Sequence, residues 1–229
     1  MKIPDDFEMP VSSFNSYGGH SSICIRYDAN AMSTYYKPGS DVTGDNIAYL
    51  QVGVPEYRIS QMVKSGGDII DAFGFVNVVS PSGLPMRGIV GISPDPIMFV
   101  ALNCQNLKQS REFYEQLGFV QQEYPFCRPN KGMGQFEPPQ PKNSVYLAPS
   151  KNSMGVLLLQ SKKRNVKPNP AFRGMKIVYS PSEGTTIDPN DVLQVKGPSG
   201  TNISFQPFES FAKEEASTKF VAKEDRKES

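Results

Sequence analysis

The chain of 229 residues contains only one histidine, His20, and only three cysteines, and both shortages limit its chemistry. Nucleophilic catalysis by serine or cysteine normally needs a histidine base, and a lone histidine near the start of the chain offers no such pair. We expect His20 to be an exposed or capping residue. Cys24, Cys104 and Cys127 form an odd set without Cys-x-x-Cys spacing, which indicates structural thiols in a reducing, intracellular compartment.

Long apolar runs are also missing from the chain. No stretch approaches the ~20 apolar residues that are needed to cross a bilayer. The segment 1–13 lacks the basic start and apolar centre of a secretory signal and the arginine-rich character of an organelle presequence. We therefore expect an intracellular protein, soluble or peripheral, whose targeting segment, if it has one, is absent from this chain or was removed.

Acidic residues are absent between Pro138 and Ser182, although the whole chain has a net charge of only +1. The same stretch carries eight basic residues, and its sharpest part predicts a basic docking patch formed by Lys162, Lys163, Arg164 and Lys167. Such a patch favours a protein partner with an acidic surface, an anionic membrane or an anionic small molecule. A solvated loop is the alternative. Nucleic acid is not expected, because the isoelectric point is near neutral and no recognition motif accompanies the patch.

Two pairs of similar segments indicate an internal repeat. The segment FVALNCQNLKQSREFYEQLGF at Phe99–Phe119 predicts a strand, a capped helix and a Leu-Gly-Phe end, and SSICIRYDANAMSTYY at Ser21–Tyr36 repeats its beginning. Two later segments, Phe75–Gly91 and Val192–Phe208, share a strand, a Pro-Ser-Gly turn and a second strand. The order of these signals predicts two copies of one strand-and-helix unit.

Both motifs resemble the two ends of the glyoxalase, bleomycin-resistance and extradiol-dioxygenase superfamily, also called the vicinal oxygen chelate superfamily. The resemblance covers about Ser21–Gly91 and Met98–Phe208. It implies an α+β fold of two degenerate βαβββ-type glyoxalase-like domains with curved mixed sheets. It is also the only ground for expecting a plastid location.

The resemblance and the composition together predict five segments. An N-terminal arm covers 1–20, a truncated glyoxalase-like domain covers 21–92, and a fuller one covers 97–208 with a proline-rich insertion at 125–141. A charged tail covers 209–229. Within the first domain Ile47–Val54 is predicted as a strand and Pro55–Lys64 as a helix, whereas strands between 37 and 45 are not expected, because nine residues cannot hold three strands.

Enzymes of this superfamily generally hold a divalent metal with four His, Gln or Glu side chains at set strand positions. By resemblance those positions fall at or near Ser21, Phe99, Asn46, Lys176, Arg87 and Ser204, with Gln160 as the one suitable side chain in Gly155–Gln160. Phenylalanine offers no lone pair for a metal, and arginine and lysine repel cations. The sequence therefore predicts no metal, no cofactor and no catalytic residue of the family type.

Metal-free members of the superfamily bind small molecules in the trough of the sheet. By resemblance the trough is lined by Ser21, Tyr49, Arg87, Phe99, Tyr146, Tyr179 and Ser204. Aromatic walls with a few polar groups are typical of a small-molecule site, but the same side chains could instead fill the trough.

We predict a non-catalytic binding or accessory protein, a docking subunit of a larger assembly. The alternatives are a metal-independent isomerase or lyase, with Glu123 or Glu137 beside Tyr124 or Tyr146, and a small-molecule binding protein.

Overall fold

A computed structural model describes residues 8–12, 22–26, 46–69, 75–79, 84–90, 97–125, 140–149, 154–162, 165–168, 172, 174–179 and 193–213. The strands are β1 (Glu8–Ser12), β2 (Ser22–Arg26), β3 (Ile47–Val54), β4 (Asp68–Ile69), β5 (Phe75–Val79), β6 (Pro85–Val90), β7 (Ile97–Cys104), β8 (Val120–Gln121), β9 (Ser144–Ala148), β10 (Gly155–Gln160), β11 (Met175–Tyr179), β12 (Leu193–Lys196) and β13 (Asn202–Pro207). The helices are α1 (Glu56–Lys64) and α2 (Leu107–Gln116). Residues 208–213 are also helical.

The central feature is an open, eight-stranded mixed sheet with the order β4-β5-β6-β3-β7-β10-β9-β8. It consists of two successive modules with the same topology. In the first module, β3 pairs in parallel with β6 across α1, and β5 and β4 follow antiparallel. In the second, β7 pairs in parallel with β10 across α2, and β9 and β8 follow antiparallel. Each module is thus a βαβββ unit, in agreement with the predicted mixed α+β fold.

The two modules join through their first strands. β3 and β7 run antiparallel, with irregularities in register near Ile47 and Gln51. These strands lie at the centre of the sheet, and their side chains are almost all buried, including Leu50, Val100 and Leu102. Continuous apolar runs such as IAYLQVGV and IMFVALNC are typical of strands that are covered on both faces.

Both helices pack on one face of the sheet. A Cβ atom added to Gly88 would lie only 2.6 Å from the Met62 side chain. The Met62 side chain of α1 therefore packs directly on β6 at this glycine. In α2, Ser110 and Tyr114 are buried, as the predicted apolar face requires. Asn106 caps this helix, because its side chain accepts a hydrogen bond from the Gln109 amide at 3.2 Å. The opposite sheet face, which we call the trough face, carries the candidate site.

Residues 173–229 form a second compact unit by their internal contacts, and residues 1–172 form the first. Within the second unit, β11 pairs in parallel with β13, and β13 pairs antiparallel with β12. The domain boundaries that were derived from the sequence, with a junction at 93–96 outside the described residues, remain a prediction.

The structure bears out most predicted elements. Strands Ile47–Val54, Ser144–Ala148, Gly155–Gln160 and Met175–Tyr179 and the helix that ends at Lys64 are present where the patterns placed them. Three short strands were not predicted. β4 and β8 have two residues each, too few for a periodic signal, and β1 lies in the predicted arm, where it pairs antiparallel with β2. Within the described part of the chain, neither helix is long and apolar enough to cross a membrane.

Candidate functional site

Strand register brings residues from five strands into one row across the trough face. Arg87 of β6 lies opposite Asn77 of β5 and Gln51 of β3. On its other side Gln51 lies opposite Phe99 of β7, which in turn lies opposite Gly155 of β10. Because paired residues in a sheet project to the same face, this row places polar side chains of the first module beside an aromatic side chain of the second.

An aromatic cluster centred on Phe99 fills the second module's half of the trough face and also includes Tyr49 from β3 of the first module. The Phe99 ring is completely buried. Its centroid lies 6.3 Å from that of Tyr49, 5.7 Å from Tyr146 and 5.7 Å from Tyr124, at tilted or edge-to-face angles. Such pairs each contribute about 0.5–1.5 kcal/mol beyond the burial of their area. Leu157, also completely buried, belongs to the same cluster. The aromatic cluster is therefore packed like a protein core.

Gly155 allows this packing. An ideal Cβ atom at this position would lie 2.6 Å from the Leu147 carbonyl oxygen and would collide with the Tyr146 hydroxyl. A residue without a side chain is thus required where the phenol ring crosses β10.

The first module presents a cation on the same face. The half-buried Arg87 guanidinium lies 3.9 Å from the Tyr49 ring centroid and 5.7 Å from that of Phe75. Its Nε donates a hydrogen bond of 3.0 Å to Asn77 Oδ1. Stacking and this bond fix the plane of the guanidinium. Among the described residues, Arg87 has no carboxylate partner.

Gln51 lies between the aromatic cluster and Arg87. Only 1% of its surface is exposed, and neither its Oε1 nor its Nε2 has a hydrogen-bond partner among the described residues. A buried amide without partners is destabilising by about 1–3 kcal/mol, so such a group calls for an explanation.

Tyr49 and Tyr146 are protonated near neutral pH, because the pKa of each is raised. Burial raises the pKa of Tyr146 to about 12, and hydrogen bonding with the Gly155 backbone opposes the shift only in part. Burial also raises the pKa of Tyr49, while Arg87 and Tyr124 act in the opposite direction. A phenol with a raised pKa is a poor general base at pH 7. The suggested partner Glu123 is exposed, and Glu137 lies outside the described residues.

The structure therefore brings four of the seven predicted trough residues together. Tyr49, Arg87, Phe99 and Tyr146 form one continuous group. Ser21 lies outside the described residues, and of Tyr179 only the backbone in β11 is described. Ser204 is a half-buried residue of β13 in the second compact unit. For these three positions the trough assignment stays a prediction.

The donor set on the trough face does not fit the divalent metal that the resemblance implies. The row contains an arginine and a phenylalanine where lone-pair donors would be needed. Gln160, the one suitable side chain in β10, is used elsewhere: its Oε1 accepts from the Leu107 amide at 3.0 Å, and its Nε2 donates to the Gln105 carbonyl at 2.9 Å. Within the described ranges, no three His, Cys, Asp or Glu side chains lie close enough to form a metal site.

The basic docking patch is described only in part. Lys162 and Lys167 are exposed, whereas Lys163 and Arg164 lie outside the described residues. The Lys167 backbone is held to the sheet, because its carbonyl accepts a hydrogen bond of 2.8 Å from the Asn46 amide next to β3.

Sequence reasoning missed Gln51, Asn77 and Leu157 as members of the site, and it named Tyr124 only for the metal-independent alternative. Gln51 was the one residue with a visible signal, as a polar side chain inside the apolar run IAYLQVGV. Asn77, Tyr124 and Leu157 become neighbours only through strand register and chain packing, which a single sequence does not reveal.

Comparison with solved structures finds four similar chains, among them two glyoxalase I mutants from Zea mays. The first is 15% identical, covers 77% of this chain and 74% of its own length, and has a TM-score of 0.48. The second is 14% identical, covers 77% of this chain and 73% of its own length, and also has a TM-score of 0.48. No family model matches the chain. No curated protein matches it by sequence.

Proposed function

We propose that this protein is a non-catalytic glyoxalase-like binding or accessory protein that acts through its surface. The burial of Phe99 within the aromatic cluster carries this proposal. At that position a reacting molecule would have to displace a completely buried ring, at a cost comparable to that of opening a protein core. The raised pKa values of Tyr49 and Tyr146 argue further against proton transfer by a phenolate.

The proposal includes two degenerate copies of the glyoxalase-like domain. The pairing within the second compact unit supports it: β11 and β13 are parallel and β12 is antiparallel to β13, as β7, β10 and β9 are in the second module. This pairing is the one expected of three strands of a further βαβββ unit. On this interpretation the eight-stranded sheet combines the later half of the first copy with the earlier half of the second.

The proposed partner is a protein with an acidic surface, and the basic docking patch is the proposed contact. The exposure of Lys162 and Lys167 and the lack of acidic residues from Pro138 to Ser182 support this assignment. A cluster of like charges steers a partner of opposite charge and makes its binding dependent on salt.

The test is native mass spectrometry of complexes purified from the source organism with a tagged chain. The test variant reverses four charges to glutamate, at Lys162, Lys163, Arg164 and Lys167. Its matched control reverses four exposed cations of the two helices, at Arg58, Lys64, Lys108 and Arg111. We expect the partner to be lost with the test variant and retained with the control. Equal retention by both variants, or capture of anionic lipid vesicles instead of a protein, would overturn the docking proposal.

A small-molecule binding protein is the second candidate. The buried amide of Gln51, without partners among the described residues, favours it, because its polar atoms are directed to the same face as Arg87. No comparable observation favours a metal-independent isomerase or lyase.

A further inference from the structure

We propose that the first module's half of the trough face binds a small molecule through a carboxylate group, with Arg87 and Gln51 as its ligands. This inference develops the small-molecule alternative and does not depend on the basic docking patch. The carboxylate site and the docking proposal can fail separately, because the first is tested with a pure small molecule and the second by capture of a protein partner.

The planar shape of the Arg87 guanidinium favours a carboxylate as the ligand group. The Arg87 Nε donates to Asn77 Oδ1 and the guanidinium stacks on the Tyr49 ring, so an external acceptor would be held by the terminal NH₂ groups. A guanidinium presents parallel N–H donors that match the two oxygens of a planar carboxylate. Arg87 is the only cation in its row of Asn77, Gln51, Phe99 and Gly155, and a phosphate with nearly two negative charges would be less well neutralised.

Gln51 provides the second, independent observation. Its amide is buried, it lies directly opposite Arg87 in the sheet, and it has no partner among the described residues. Its Nε2 can donate a hydrogen bond to a carboxylate that the guanidinium holds, and its Oε1 can accept one from a hydroxyl or amide of the same ligand. A stabilising core residue at this position would be apolar, so the amide is best explained as a ligand-binding group.

The surroundings favour an acid with a flat apolar body. The Arg87 guanidinium is flanked by two aromatic rings, Tyr49 at 3.9 Å and Phe75 at 5.7 Å from the ring centroids. The nearest acid in register, Asp68, is exposed and lies two strands from Arg87, about 10 Å away at the backbone. Among the described residues it forms no ion pair with Arg87, whose side chain is half-buried.

The experiment is a calorimetric titration of the full chain with benzoate, with benzamide and inorganic phosphate as comparison probes. We expect benzoate to bind, benzamide not to bind, and phosphate to bind more weakly than benzoate. Arg87→Gln should weaken benzoate binding about tenfold or more, because it removes two charge-assisted hydrogen bonds. Arg87→Lys should restore only part of this loss, and Lys108→Gln, at an exposed cation of α2, should leave benzoate binding unchanged.

Gln51→Met supplies a readout that a structural role would not give. If the amide serves a ligand, this variant should bind benzoate less tightly, while its thermal unfolding midpoint rises by about 2–4 °C. Absence of benzoate binding, equal affinity in the wild type and Arg87→Gln, or a lower unfolding midpoint for Gln51→Met would each overturn the proposal.

Discussion

The two modules of the central sheet share a topology but differ in the chemistry of their trough faces. In the first module the face carries Arg87 and Asn77, joined by a hydrogen bond, with the buried amide of Gln51 beside them. In the second it carries Phe99 and Tyr146, whose rings are buried against each other. The comparison teaches that the two modules present equivalent faces, and that side-chain identity decides whether such a face is packed as an apolar core or carries buried and half-buried polar groups.

The helices of the two modules also differ in how tightly they are packed and capped. Asn106 caps α2 with its side chain, and Tyr114 is buried beneath it. Pro55 at the start of α1 makes no side-chain cap, and none of the α1 residues is fully buried. We conclude that the second module is the more tightly packed of the two and supplies more of the stability of the sheet.

The largest effect is expected from breaking the aromatic cluster. Phe99→Ala should lower the free energy of unfolding by about 3–5 kcal/mol, because it leaves a cavity among Tyr49, Tyr124 and Tyr146. Urea denaturation followed by circular dichroism measures this loss. A change below about 1 kcal/mol would mean that the ring is not part of a packed core.

Alkaline pH should weaken the same cluster. The folded chain keeps the proton of Tyr146 until the pH approaches 12, whereas the unfolded chain releases it near 10, so stability present below pH 10 is lost as the pH rises through 12. The loss from this phenol is roughly 2–3 kcal/mol. Denaturation from pH 9 to 12 should show a shallower decline for Tyr146→Phe than for the wild type, with Tyr57→Phe, at an exposed tyrosine, as the matched control.

Overpacking the second module provides a further test. Gly155→Ala should cost about 1–3 kcal/mol, because the added methyl meets the Leu147 carbonyl and the Tyr146 phenol. Adding Tyr146→Phe should recover part of that loss, which a double-mutant cycle would measure as a coupling between the two positions. Strictly additive effects would show that the phenol does not cross β10 at this glycine.

The smallest effect concerns the helix starts. Asn106→Ala should cost about 1 kcal/mol through the loss of the cap on α2. Pro55→Ala at the start of α1 removes no side-chain cap and is the matched comparison. Equal losses in thermal unfolding measurements would contradict the difference between the helices.

Much of the fold could be predicted from local patterns. The capping pair Asn106 and Gln109 and the apolar runs around Leu50 and Val100 indicated α2, β3 and β7 correctly, because these signals act over a few residues. The pairing partners of these strands could not be derived from local patterns. Register across β6, β3 and β7 depends on contacts between residues far apart in sequence, and a single chain contains no direct signal for them.

The candidate site, too, could be predicted only in part from the sequence. Phe99, Tyr49 and Arg87 were placed in the trough by resemblance, and they do meet. Resemblance could not show that Phe99 would be completely buried or that Gln51 would lie opposite Arg87 without a partner. Those properties arise from packing, which depends on all the surrounding side chains together.

The most direct test of the difference between the modules is the free energy of unfolding of two variants at neighbouring positions, Phe99→Leu and Gln51→Met. These residues are paired across β3 and β7 and have almost the same burial. Shortening a packed core ring should lower the free energy of unfolding, whereas removing a buried amide that serves a ligand should raise it. We therefore predict that Phe99→Leu destabilises the protein and that Gln51→Met stabilises it by up to about 1 kcal/mol. Destabilisation by both substitutions would show that the two halves of the trough face are packed alike and would contradict the account.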